Sequence, residues 1–187
     1  MNLLTCLIVV VLGFIATSVV SISQNDKELL LFLHNTYREK VKNCGIPGQP
    51  GALTMPRMQW HNELAAKAQK WSKQCKVGHD RGEDRKVNGF WWVGQNFAGN
   101  PSVKGGFYSW FDEHNKYNFT KNSCESVCGH YTQVVWQESI YLGCGVTQCP
   151  KNKFPYGLAI VCNYGPGGNV NGRRPYTPNP DASCGRN

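Results

Sequence analysis

The chain is 187 residues long with a formal net charge of +8, enough for one domain with a real core. Its basic residues scatter through 38–42, 67–86, 116–121 and 151–153, with Arg173 and Arg174 further on. That pattern excludes a single nucleic-acid block, and no nucleic-acid motif accompanies it; it suits solubility, or weak attraction to anionic membrane surfaces and glycans.

Met1 to Ser23 opens with an apolar core from Leu3 to Val20. The small residues Ala16, Thr17, Ser18, Ser21 and Ser23 then lead into polar Gln24-Asn25-Asp26. Residues 1–23 therefore read as a cleaved signal peptide, although no Lys or Arg precedes the apolar core. A membrane anchor is the alternative; the processing-like small residues favour cleavage, and no later apolar run approaches a span. Cleavage removes Cys6 and leaves eight of the nine cysteines, Cys44, Cys75, Cys124, Cys128, Cys144, Cys149, Cys162 and Cys184. An even count in an exported chain implies disulfides, and oxidising surroundings make a metal site at Cys124 and Cys128 the weaker reading. The pairing is not readable from the residues.

A first helix is predicted from Asp26 to Val41. Leu30, Leu33, Tyr37 and Val41 fall at helical spacing, and Leu29, Leu31 and Phe32 widen the stripe beyond what a one-sided helix needs. Cys44 to Gly51 stops it in a loop. A second helix, Asn62 to Cys75, lines up Leu64, Ala68, Trp71 and Cys75. Val77 to Lys86 is polar and contains His79, and Phe90 to Val93 leads into Gly94-Gln95-Asn96-Phe97, a short strand and turn. A third helix is expected from Ser102 to His114, weakened by Gly105-Gly106, with Phe107, Trp110 and Phe111 on one side. The loop Asn115–Lys121 sets Tyr117 and Phe119 at alternate positions among lysines and holds the one sequon, Asn118-Phe119-Thr120, a glycosylation candidate. Strands are predicted at Tyr131–Trp136, Leu142–Thr147 and Leu158–Asn163. Helices first and strands after make one α+β domain, residues 24–170, followed by a Gly-, Pro- and Asn-rich extension, 171–187.

Four stretches carry a resemblance: His34-Asn35-Thr36-Tyr37-Arg38, Gly94-Gln95-Asn96-Phe97, Gly129-His130-Tyr131-Thr132-Gln133-Val134-Val135-Trp136, and Cys162 to Asn169. Together they resemble the CAP superfamily of cysteine-rich secretory, antigen 5 and pathogenesis-related proteins, most closely its venom allergen-like members. The resemblance implies a three-layer α-β-α sandwich with a small antiparallel sheet, stabilised by disulfides, among them Cys75–Cys149 and Cys144–Cys162. It implies a cleft holding His79, His130 and Glu113, with a second acidic residue where this chain has Gln95. Gln can neither take a proton as a carboxylate does nor stabilise a histidinium by charge.

The resemblance implies weak Zn or Mg binding at His79 and His130, where neutral imidazole is an ordinary zinc ligand, while no cofactor is required. Catalytic residues are not expected. The cysteines are oxidised, and Ser109, Thr132 and Ser139 lie near the motifs without a nucleophile elbow. The resemblance also implies a fatty-acid site between the first and third helices, at Leu30, Leu33, Tyr37, Phe107, Trp110 and Phe111. It further implies a sterol-engaging loop at Tyr117 and Phe119, which must then be exposed; the alternative in both places is ordinary packing. The expected protein is a secreted, non-enzymatic binder of sterol or fatty acid that acts on host or neighbouring cells. A protein-recognition module and a weak metal-dependent hydrolase are the alternatives. Oligomeric state stays open.

Overall fold

The computed structural model describes residues 22–182 and Cys184, so all but the last two residues of the predicted leader lie outside it. Helix α1 spans Gln24–Lys42. Ser23 caps it, its Oγ accepting from the Asp26 N–H at 3.1 Å, and Lys40 and Lys42 complement its C-terminal end. Strand β1 (Gln59–Trp60) precedes α2 (Asn62–Ser72), which ends before Cys75; the turn α3 (Gly82–Arg85) follows, then β2 (Gly94–Asn100). Ser102 caps α4 (Val103–Phe111), so the double glycine falls in its first turns, and a 3-10 turn over Asp112–Lys116 carries the chain on. A hairpin of β3 (Tyr117–Asn118) and β4 (Ser123–Cys124), helix α5 (Gly129–Val134), and strands β5 (Tyr141–Gln148) and β6 (Leu158–Gly165) complete the order.

The main sheet runs β1-β5-β6-β2. β2, β6 and β5 are antiparallel, while β1 adds parallel to β5 as one edge, so the sheet is mixed. Alternation along the strands distributes the layers. Tyr164 of β6 reaches His34 of α1, whereas its neighbour Asn163 donates to the Leu64 carbonyl of α2. The face below α1 and α4 holds the main core, including Leu30, Leu33, Phe107, Trp110, Ile160 and Tyr164. On the other face α2 lies directly on β5. A Cβ at Gly143 would sit 2.2 Å from the Ala65 nitrogen, and one at Gly145 2.3 Å from the Gln69 backbone. Disulfides join Cys75 to Cys149, Cys144 to Cys162 across directly paired residues, Cys44 to Cys184 and Cys124 to Cys128.

One predicted element changes class. Residues 131–136 are not a strand: Gly129–Val134 is helical, and Val135 and Trp136 leave it in a turn. Tyr131, Gln133, Val134, Val135 and Trp136 are buried and only Thr132 is partly exposed, so burial does not alternate along the run. A short run buried at nearly every position carries no usable period.

Candidate functional site

At the β2 edge of the sheet the two layers overhang a polar cleft. His79 enters from the loop after α2, Gln95 from β2, Glu113 from the turn after α4, and His130 from the first turn of α5. The imidazole centroids of His79 and His130 are 6.5 Å apart, and the indole of Trp110 stacks beside His130 at 6.4 Å.

Each ring is held from behind. Glu113 Oε1 lies 2.7 Å from His130 Nδ1, and its Oε2 accepts the backbone N–H groups of His130 and Tyr131 at 2.9 and 3.1 Å. The carboxylate thus caps the first turn of α5 and orients the ring on that turn. This clamp is a physical reason for helix where a strand was expected.

The other ring rests on Gln95, whose Oε1 lies 2.9 Å from His79 Nδ1. The amide cannot turn round. Its Nε2 donates to Asp80 Oδ1 at 3.0 Å and Asn163 Oδ1 at 2.9 Å, both acceptors. Asp80 is in turn ion-paired with Arg85, whose Nε donates to the Val93 carbonyl at 3.1 Å. With Gln95 fixed as an acceptor towards His79, and Glu113 accepting from His130, both rings carry the proton on Nδ1 when neutral. Neither Nε2 has a hydrogen-bond partner among the described residues, so each is left as a lone pair. Sequence reasoning missed Asp80, Arg85 and Asn163. The available signal was an acid beside His79 with an arginine five residues on.

A family model described as the cysteine-rich secretory protein family, CAP, matches residues 31–164. The chain belongs to the CAP family. Venom allergen 5 of Brachyponera chinensis is 41% identical over 172 residues, covering 81% of this chain and 83% of the relative. GLIPR1-like protein 1 of Homo sapiens is 36% identical over 186 residues, covering 94% and 74%. The solved structure of Schistosoma mansoni venom allergen-like protein 4 matches with a TM-score of 0.77 at 36% identity, over 85% of this chain and 97% of that one. NaASP2 with Zn2+ matches with a TM-score of 0.68 at 26% identity, over 84% and 87%.

Elsewhere in this CAP domain the predicted apolar residues come together. Leu30, Leu33, Phe107, Trp110 and Phe111 are buried. Tyr37 packs 4.3 Å from Phe111 and 5.5 Å from Phe107, and its hydroxyl donates to that of Tyr108 at 3.2 Å. The surplus apolar width of α1 goes partly to solvent, with Phe32 63% exposed. Between α1 and α4 these rings pack against one another.

The expected exposed aromatic pair is corrected. Tyr117 and Phe119 are buried, against Tyr131 and Tyr176 respectively, because the β3–β4 hairpin turns them inward. Asn118 between them is exposed, its Oδ1 accepting the Lys121 N–H at 2.9 Å. The hydroxyls near the motifs are engaged structurally. Ser109 donates to Gly106, Thr132 to Cys128 and Asn169, and Ser139 to Pro166; none bonds His79 or His130.

Proposed function

We propose that this CAP protein is exported and acts outside the cell as a binding module without bond-breaking chemistry. Its centre is the His79–His130 cleft, and its simplest ligand is a labile divalent cation, zinc or magnesium. The observation that carries the reading is the engagement of both Nδ1 atoms by side-chain acceptors. That is how a protein aims imidazole Nε2 atoms at a metal.

The residues present fit a weak site and not a closed one. No group of three or more His, Cys, Asp or Glu side chains able to hold a metal occurs among the described residues. Two imidazoles would hold the ion, water would complete its coordination, and Glu113 and Gln95 would act behind the rings. Bound there, the ion would offer a positive charge and open coordination positions to an anionic group of a partner. The engaged hydroxyls and oxidised cysteines leave the cleft without a nucleophile paired to a base, which supports the non-enzymatic reading.

Export is supported by the four disulfides among the described residues and by the leader-like N-terminus. Calorimetric titration with zinc chloride tests the centre. Wild type should take up one ion, and His79→Ala or His130→Ala should weaken binding at least tenfold; equal binding by all three proteins refutes the reading. Fatty acid or sterol between α1 and α4 is a second reading, supported by the concentration of apolar rings there. It requires parting the Tyr37–Tyr108 contact. Mass spectrometry of natively secreted protein should then show co-purifying lipid, and material that is lipid-free and fails to bind labelled palmitate or cholesterol removes this second reading.

A further inference from the structure

The four disulfides differ in what covers them. Cys144, Cys162, Cys75 and Cys149 are all buried. Cys44 and Cys184 are half-buried against the Gly51 backbone, whose N–H donates to Cys184 Sγ at 2.7 Å. The fourth bridge is open to solvent at one end only. Cys124 is exposed on β4, whereas Cys128, at the start of α5, is 4% exposed. Both line a groove of about 480 Å³ between the β3–β4 hairpin and residues 169–175.

This bridge is also not what holds its two ends in place. Cys124 is paired with Tyr117 across the hairpin, and the Glu125 N–H donates to the Lys116 carbonyl at 3.0 Å. On the other side the Cys128 carbonyl accepts the Thr132 N–H at 3.0 Å, and Glu113 clamps the next turn of α5. The two Cα atoms are 5.9 Å apart, within disulfide range, and these contacts keep them so when the sulfurs part. Opening therefore costs no element, and closing needs no search.

We propose that Cys124–Cys128 is a thiol-exchange site, opened and re-formed in the folded protein while the other three bridges stay closed. The co-reactant is a thiol, from a small monothiol or a protein dithiol. Its thiolate attacks Cys124 Sγ, the S–S bond breaks, and the electron pair leaves on Cys128 Sγ. A second thiolate attacks the outer sulfur of that mixed disulfide and releases Cys124. The two thiols leave joined as a disulfide, and their two electrons and two protons stay on Cys124 and Cys128. Burial of Cys128 fixes the order, because only Cys124 can be approached from outside. The protein is the substrate of this exchange and catalyses nothing, and the site needs no metal in the two-histidine cleft.

The test is treatment of the folded, secreted protein with glutathione and, separately, with reduced thioredoxin, zinc being chelated. Alkylation and peptide mass spectrometry then locate the opened cysteines. Cys124 and Cys128 should be labelled at least tenfold faster than any other cysteine, with glutathione carried on Cys124. Opening by one reagent alone identifies the source of the thiol. Circular dichroism should stay native through this phase, and removing the thiol should restore the bridge. Cys124→Ser with Cys128→Ser should abolish the fast phase; if that variant does not fold, the position of glutathione on the wild type decides. Opening of all four bridges together, opening of Cys44–Cys184 first, resistance of every bridge short of unfolding, or glutathione on Cys128 each overturns the proposal. Failure of the zinc titration leaves it intact.

Discussion

Gln95 shows how the bonding capacity of one side chain sets the role of its neighbours. The sequence showed an amide where the resemblance implies an acid. It did not show that the negative charge stands next door at Asp80, neutralised by Arg85 and bonded to the amide. Substituting Gln95→Glu would replace a donor to Asp80 and Asn163 by a second acceptor-only carboxylate. Stability to urea should fall by roughly 1–3 kcal/mol at pH 7, and adding Asp80→Asn should recover most of it. If Gln95→Glu alone is as stable as wild type, the amide does not orient the cleft.

His34 makes a second prediction at this scale. Burial holds its pKa down, at about 4, with Nδ1 against the Leu30 carbonyl and Nε2 against the Tyr164 hydroxyl. The ring is neutral when folded, whereas an unfolded chain protonates it below about pH 6.5. Its contribution is therefore fully present above pH 6.5 and is lost as pH falls towards 4, by roughly 3 kcal/mol in all. Urea unfolding between pH 7.5 and 4.5 should show that slope in wild type and a shallower one in His34→Gln. Identical slopes would contradict it.

Among the elements, those with a long, clean period were legible. α1, α2 and α4 fall close to their predicted spans because each buries one face and exposes the other; β5 and β6 also do, as longer apolar runs buried on both faces and bounded by turns. The misread element, α5, is short, buries only Tyr131, Gln133 and Val134, and has its state fixed by Glu113 from another element. Tyr117 and Phe119 were misread for a related reason. The polar residues around them suggested a solvated loop, but the hairpin turn puts the alternate positions inside.

The packing of α2 on β5 yields a prediction. Gly145→Ala forces a Cβ against the Gln69 backbone, which no side-chain rotation relieves, and should cost about 1–3 kcal/mol. Gly129→Ala, whose nearest neighbour is the Asn169 side chain at 3.7 Å, should cost far less. Equal melting temperatures for the two variants would show that α2 does not need this close approach.

For the whole molecule, the resemblance gave the layered fold and the two-histidine cleft, while the local residues could not show how the rings of α1 and α4 pack on one another. That outcome depends on how rings from two elements interlock, as Tyr37, Phe107 and Phe111 do. The disulfides also act at this scale. Cys44–Cys184 closes 140 residues, whereas Cys124–Cys128 closes 4. On the chain-entropy account, removing the first with paired serines should cost about 5 kcal/mol and removing the second about 2 kcal/mol. Thermal unfolding of the two double variants should rank them in that order, and the reverse ranking would show that the tail gains little from its tether.

The cleft exists only because both layers and an edge strand converge on it, and the tautomers of its histidines report whether they do so as described. Long-range proton–nitrogen NMR on labelled protein, with and without zinc, reads each ring nitrogen directly. The expected result is a proton on Nδ1 of both His79 and His130 in the neutral state, and a zinc-dependent shift confined to their Nε2 atoms, with His34, His61 and His114 unmoved. A proton on Nε2 of either cleft ring, or a zinc response at Nδ1 or at the other three histidines, would contradict the account.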